Sequence, residues 1–282
     1  MKRALALLTL LVGLALAERP LAVATIPPYA ALARAVLGDG WQVESLVPPG
    51  ANPHVFSPTP ADVKKVARAR LVILNGLHLD EWIVDKLIRP NNLEARVFRA
   101  EDSTGPLVRP LPSGAPDPHV WTDPIAMTFV VQDLARVAGE LDPANAAAYQ
   151  ERARAYELAL TELDRSIRAR LATAPTNRFV AFKNPFTYLV ARYGLERVFL
   201  ITPNPAAQPS PRELAEAAKV LARSGLDYLV APLQLEGEAE RVARTLGVKP
   251  ALLDLLGQRG DDYLAVWEAN GRILARALGA EE

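Results

Sequence analysis

Apolar residues fall into two kinds of run along this chain. Short blocks rich in Val, Ile and Leu read as buried strands, and longer stretches with apolar residues at every third or fourth position read as amphipathic helices. Strands are predicted at residues 21–26, 41–47, 71–74 and 96–100, with a helix at 29–37. Thr59-Pro60-Ala61-Asp62 marks another helix start, with threonine at the N-cap, proline in the first turn and an acid three residues on. Residues 101–118 hold five prolines and two glycines and read as an irregular loop. The second half repeats the scheme, with strands at 178–182, 197–201, 228–231 and 251–253 and helices at 186–193, 211–224, 238–246 and 262–278. Strands alternating with helices predict an α/β protein of two lobes, each a mostly parallel sheet flanked by helices.

Between the halves the period changes. After Asp142-Pro143, the residues Tyr149, Ala153, Tyr156, Leu160, Leu163, Ile167 and Leu171 recur at spacings of three and four. This predicts one rigid helix of about 30 residues, ~45 Å long, between an N-terminal lobe at 18–141 and a C-terminal lobe at 176–282. The linking segment is 142–175. A strut of that kind allows only small lobe motions. The same stripe would also suit a coiled-coil dimer.

The first residues read differently. Lys2 and Arg3 precede an uncharged apolar run at 4–17 ending in Ala15-Leu16-Ala17, the layout of a cleaved signal peptide at 1–17. That run is short of the ~20 residues a membrane-spanning helix needs. Lysine plus arginine number 32, as do aspartate plus glutamate. Removing Lys2 and Arg3 leaves 30 basic against 32 acidic residues, a net charge of −2, which gives no support for nucleic-acid binding. With no cysteine there is no disulfide, no thiolate site and no lipid-anchored cysteine. The expectation is an exported, periplasmic monomer that is not a lipoprotein.

Imidazole chemistry is confined to His54, His78 and His119. His54 sits in Asn52-Pro53-His54-Val55-Phe56 after the second strand, and His119 in Asp117-Pro118-His119-Val120-Trp121 before a helix. In open α/β sheets ligands bind beyond the carboxyl ends of the strands, so both loops can face one crevice. Asp254, following Ala251-Leu252-Leu253, is the best carboxylate from the other half, and a turn acid is its alternative reading.

These segments together resemble the metal-binding periplasmic solute-binding proteins of zinc and manganese ABC importers, the adhesin or cluster A-I family. Pro53-His54-Val55-Phe56-Ser57-Pro58-Thr59-Pro60 resembles the first ligand loop of that family, and Asp117-Pro118-His119-Val120-Trp121-Thr122-Asp123-Pro124 the second. Leu74-Asn75-Gly76-Leu77-His78-Leu79-Asp80-Glu81-Trp82, Phe186-Thr187-Tyr188 through Tyr193-Gly194, and Leu253-Asp254-Leu255-Leu256-Gly257 match further segments. The resemblance covers nearly the whole mature chain. It implies capture of Zn2+ or Mn2+ as transported ligand by His54, His119 and Asp254, and delivery to an ABC permease. Neutral imidazole is the ligating form, so binding is expected to weaken from pH ~7 to ~5.

The departures are specific. Lys183 stands where the family usually has histidine or glutamate, and Pro232 and Gln208 stand where acids are common. A protonated lysine repels a cation. The open position then falls to water or Asn184, with His78 as a further site-lining candidate. Three readings follow from that: a His54–His119–Asp254 metal site, a degenerate site, or one retuned to an anionic ligand. An adhesion or scaffold protein fits the degenerate case. A zinc hydrolase is the enzyme alternative, against which stand the lack of an HExxH helix and of a general base beside the proposed metal.

Overall fold

A computed structural model of the protein describes residues 18–111, 113–204 and 207–281. The signal peptide expected at 1–17 lies outside the described residues. The N-terminal lobe runs β1 (Leu21–Ala24), α1 (Pro27–Leu37), β2 (Gln42–Ser45), α2 (Pro60–Arg68), β3 (Ala69–Leu74), α3 (Arg89–Asn91), β4 (Arg96–Arg99), α4 (Ala100–Thr104) and α5 (Pro124–Leu141). After the long α6 (Ala146–Leu171), the second lobe runs β5 (Arg178–Ala181), α7 (Thr187–Tyr193), β6 (Glu196–Leu200), α8 (Pro211–Ser224), β7 (Tyr228–Pro232), α9 (Glu236–Leu246), β8 (Lys249–Leu253) and α10 (Tyr263–Ala277).

Each lobe has a four-stranded, wholly parallel sheet, ordered β2-β1-β3-β4 in the first and β6-β5-β7-β8 in the second. The two orders are the same device. In each lobe the chain reverses its winding between the first and third strands, which opens a crevice at their carboxyl ends. The predicted α/β class and two-lobe architecture are therefore observed.

Local signals placed most elements. Thr59 and Asp62 form a reciprocal capping box at α2, as Ser210 and Glu213 do at α8, each with proline in the first turn. The Asp123 carboxylate accepts the amide hydrogens of Ile125 and Ala126 to open α5. The middle helix is shorter than expected. Pro143–Asn145 forms a separate tight turn before 26 residues of α6. Helices went unpredicted in two places: α4 occupies the start of the segment expected to be an irregular loop, and a wide-wound helical turn, Val84–Ile88, runs into α3. That turn starts at Ile83 with no side-chain cap, so no cap marks it in the sequence.

The apolar stripe of α6 is consumed within the chain. Tyr149, Ala153, Leu160, Leu163 and Ile167 are buried, and α6 packs on α5, α10 and α1. That covers the face a coiled-coil partner would need. The main core is continuous across the two lobes, with Leu32, Val130, Leu160, Phe186, Leu253 and Trp267 in one cluster. Among the described residues no helix is long and apolar enough to cross a membrane.

Candidate metal centre between the lobes

A cavity of about 370 Å³ lies where the carboxyl ends of the two sheets meet. Its walls come from the segments after β2 (Asn52, His54), β3 (Leu77, His78), β5 (Lys183, Asn184), β7 (Gln234, Leu235) and β8 (Leu255, Leu256). His119 and Trp121 enter from the loop before α5. Two sheets wound the same way thus place both crevices on one side of α6.

The two histidine loops are built alike. Asn52 Oδ1 accepts the amide hydrogen of His54 at 3.0 Å, and Asp117 Oδ1 accepts that of His119 at 3.0 Å. In each, an Asx side chain closes a turn over a proline and presents the histidine. They differ in the ring. Asp117, fully buried, also holds His119 Nδ1 at 2.6 Å, so a proton sits between them and Nε2 is the ring nitrogen left to face an ion. Burial alone would raise the Asp117 carboxyl, but hydrogen bonds from His119 and Thr187 and the charge of His119 hold it below the usual carboxylate range.

His54 Nε2 lies 3.2 Å from His119 Nε2. Two zinc–imidazole bonds of ~2.0–2.1 Å at a tetrahedral angle separate their nitrogens by ~3.3 Å. The pair is already spaced for one ion. His54 keeps solvent exposure, yet loss of hydration in the crevice, followed by the charge of a protonated His119, lowers its pKa to about 4 against a smaller opposing effect of Asp117, so the ring is neutral at pH 7.

The other expected participants are placed differently. Asp254 is not among the residues lining this cavity. Its carboxylate accepts the amide hydrogens of Leu256 at 3.1 Å, Gln258 at 3.0 Å and Arg259 at 2.7 Å, so it organises the turn after β8. Asn270 braces the same residue, donating to its carbonyl at 2.7 Å and accepting its amide hydrogen at 2.8 Å. These bonds fit the turn reading of Asp254. Lys183 borders the cavity but is buried, and its Nζ donates to the carbonyls of Asn204 (3.1 Å) and Ala207. Burial lowers its pKa, while Glu238 and Glu213 oppose that shift. Asn184 Oδ1 accepts a hydrogen bond from Arg197, so the oxygen proposed to face an ion is engaged. Among the described residues no three of His, Cys, Asp and Glu are grouped as a metal cluster.

His78 borders the cavity in an unusual backbone. Gly76, Leu77 and His78 have φ of 81°, 55° and 63°, three successive left-handed residues. The two non-glycine residues cost about 1–3 kcal/mol each. Two carboxylates hold the turn: Asp80 accepts the amide hydrogens of Asn75 (2.7 Å) and Gly76 (2.8 Å), and Glu101 that of Leu77 (2.8 Å). A Cβ at Gly76 would stand 2.3 Å from the Glu101 carboxyl carbon, so glycine is required there. Sequence reasoning gave Asp117 no role and missed Arg197. An Asx two residues before a histidine could have marked the first. One arginine in a strand gives no signal for the second.

The chain is similar to known proteins over most of its length. Residues 22–277 match the profile of the family described as ZnuA, zinc-uptake complex component A, periplasmic. The iron-binding protein YfeA of Yersinia pestis is 27% identical over 221 residues, covering 77% of this chain and 71% of that protein. The zinc-binding protein AdcA of Streptococcus pyogenes serotype M6 is 26% identical over 283 residues, covering 88% of this chain. The chain spans about half the length of AdcA, 54%. Among solved structures, the SBP FpvC from Pseudomonas aeruginosa in complex with Mn2+ superposes with a TM-score of 0.76 at 26% identity, covering 93% of this chain and 98% of that one. With the profile match running from β1 to the end of α10, the chain belongs to the ZnuA family, zinc-uptake complex component A.

Proposed function

We propose that this chain is an extracytoplasmic solute-binding protein that takes up a divalent transition metal, zinc or manganese, between His54 and His119 and delivers it to an ABC permease. One observation carries the reading: the 3.2 Å approach of two imidazole nitrogens, one fixed in its ligating tautomer by a buried carboxylate. Among the relatives one is named for binding iron and one for binding zinc, and a similar structure was solved in complex with Mn2+. A two-imidazole core suits that range, with water or oxygen donors completing the shell. Family membership supports a transport component rather than an enzyme. Export to the periplasm as a soluble monomer without a lipid anchor is the accompanying proposal, supported by the leader-like residues 1–17 and the absence of cysteine.

The test is equilibrium dialysis with zinc and with manganese. His54→Ala and His119→Ala are each expected to abolish stoichiometric zinc binding while leaving the fold intact, because both sit in loops at the crevice rather than in the core. Wild-type affinity in both variants would overturn the reading. A degenerate site is the second reading, favoured by the engagement of Asp254, Asn184 and Lys183 elsewhere. Its signature is a parent protein that binds neither ion.

A further inference from the structure

We infer that His78 is the third metal ligand, swinging from the mouth of the cavity onto an ion held by His54 and His119. This rests on the two-histidine reading above. The chain has three histidines in 282 residues, and all three border the same cavity. The other expected participants already have partners: Asp254, outside the cavity lining, accepts three backbone amides, Asn184 accepts from Arg197, and the Lys183 amine donates to two carbonyls.

His78 is free to move while its backbone is not. Its side chain is 83% exposed, and the ring's contact with Glu81 is a long 3.9 Å. The same Glu81 fixes the His78 amide at 2.6 Å. The left-handed turn at 76–78 is anchored by Asp80 and Glu101 and directs residue 78 to the cavity wall. A mobile imidazole on a fixed anchor can follow an ion in and release it again, which a carrier needs at both ends of its task. Three neutral imidazoles with one open position are a zinc-type donor set; manganese prefers oxygen.

The test uses the full mature chain loaded with one equivalent of zinc. X-ray absorption is expected to count three imidazoles in the parent and two in His78→Asn, a substitution that keeps a left-handed backbone accessible. Competition against a chromophoric chelator is expected to show His78→Asn weakened by roughly 100-fold, at the upper end of what loss of a supporting residue costs. The metal-free melting temperature should not change, because the exposed ring packs on nothing. Two imidazoles in the parent, or parental zinc affinity in His78→Asn, would overturn this inference alone. Parental zinc affinity in both His54→Ala and His119→Ala, or a parent that binds no zinc, would overturn it together with the reading beneath it.

Discussion

His54 and His119 share a turn and differ in what surrounds their rings. Asn52 holds only the backbone of His54, whereas Asp117 holds both backbone and ring of His119. His54 is the ring whose titration the site displaces. With a folded-state pKa of about 4 against an ordinary ~6.5, the unfolded chain takes up a proton between those values that the folded chain refuses. Stability from this group is therefore complete above pH ~6.5 and drains away as pH falls toward 4. The parent, compared with His54→Gln, is expected to lose relative stability across that window in urea titrations. NMR of the ring should show His54 still neutral at pH 5. A midpoint near 6.5 would contradict the burial and charge effects described here. The weakening of binding between pH 7 and 5 expected from free imidazole should accordingly not arise from this ring.

At the scale of elements, loops carry the chemistry and helices carry the legible signals. Pro211–Ser224 was readable to the residue because Ser210, Pro211 and Glu213 announce it locally. The paired Pro-His loops were readable for the same reason, since Asx, proline and histidine act within three residues. Asp254 was not. Whether an acid after a strand faces a ligand or its own turn depends on where the amides of Leu256, Gln258 and Arg259 point, and that is set by tertiary packing. Lys183 shows the same limit: its position at the end of β5 was clear from sequence, but its task was not. The amine ties Asn204 and Ala207 to that strand end. Lys183→Met is thus expected to lower stability by about 1–3 kcal/mol, because two carbonyls lose a charged hydrogen-bond donor, and to lower the melting temperature accordingly. Lys183→His removes the charge and adds a donor at the cavity wall, and is expected to tighten zinc binding at least tenfold, ~1.4 kcal/mol. Lys183→Met binding zinc as tightly as Lys183→His would assign the whole gain to charge. No gain in either would show that the amine does not oppose the ion.

Over the whole molecule, the division into lobes at 18–141 and 176–282 describes the sheets better than the energetics. The His119 loop precedes α6 in sequence yet is fastened to the second lobe. Tyr188 Oη donates to the Asp117 carbonyl at 2.7 Å, Tyr263 Oη to that of Trp121 at 2.8 Å, and Trp121 Nε1 to that of Leu255 at 2.9 Å. The long helix is clamped at both ends as well. Near its start, Arg152 donates to the carbonyls of Val36 and Leu37 at the end of α1. Toward its end, Asp164 accepts a two-pronged bond from Arg192 of α7 at 2.7 and 2.6 Å. Since the main core also runs unbroken from Leu32 to Trp267, opening one lobe exposes apolar surface of the other. The protein is therefore expected to unfold in one cooperative step, with calorimetric and van't Hoff enthalpies equal. Tyr263→Phe removes a single cross-lobe bond, worth about 1 kcal/mol, and should lower the melting temperature by a few degrees without splitting the transition. Two resolved transitions in the parent would mean that the lobes hold together separately. The clamped His119 loop would then be a hinge, and the 3.2 Å spacing of the imidazoles would belong to only one of its positions.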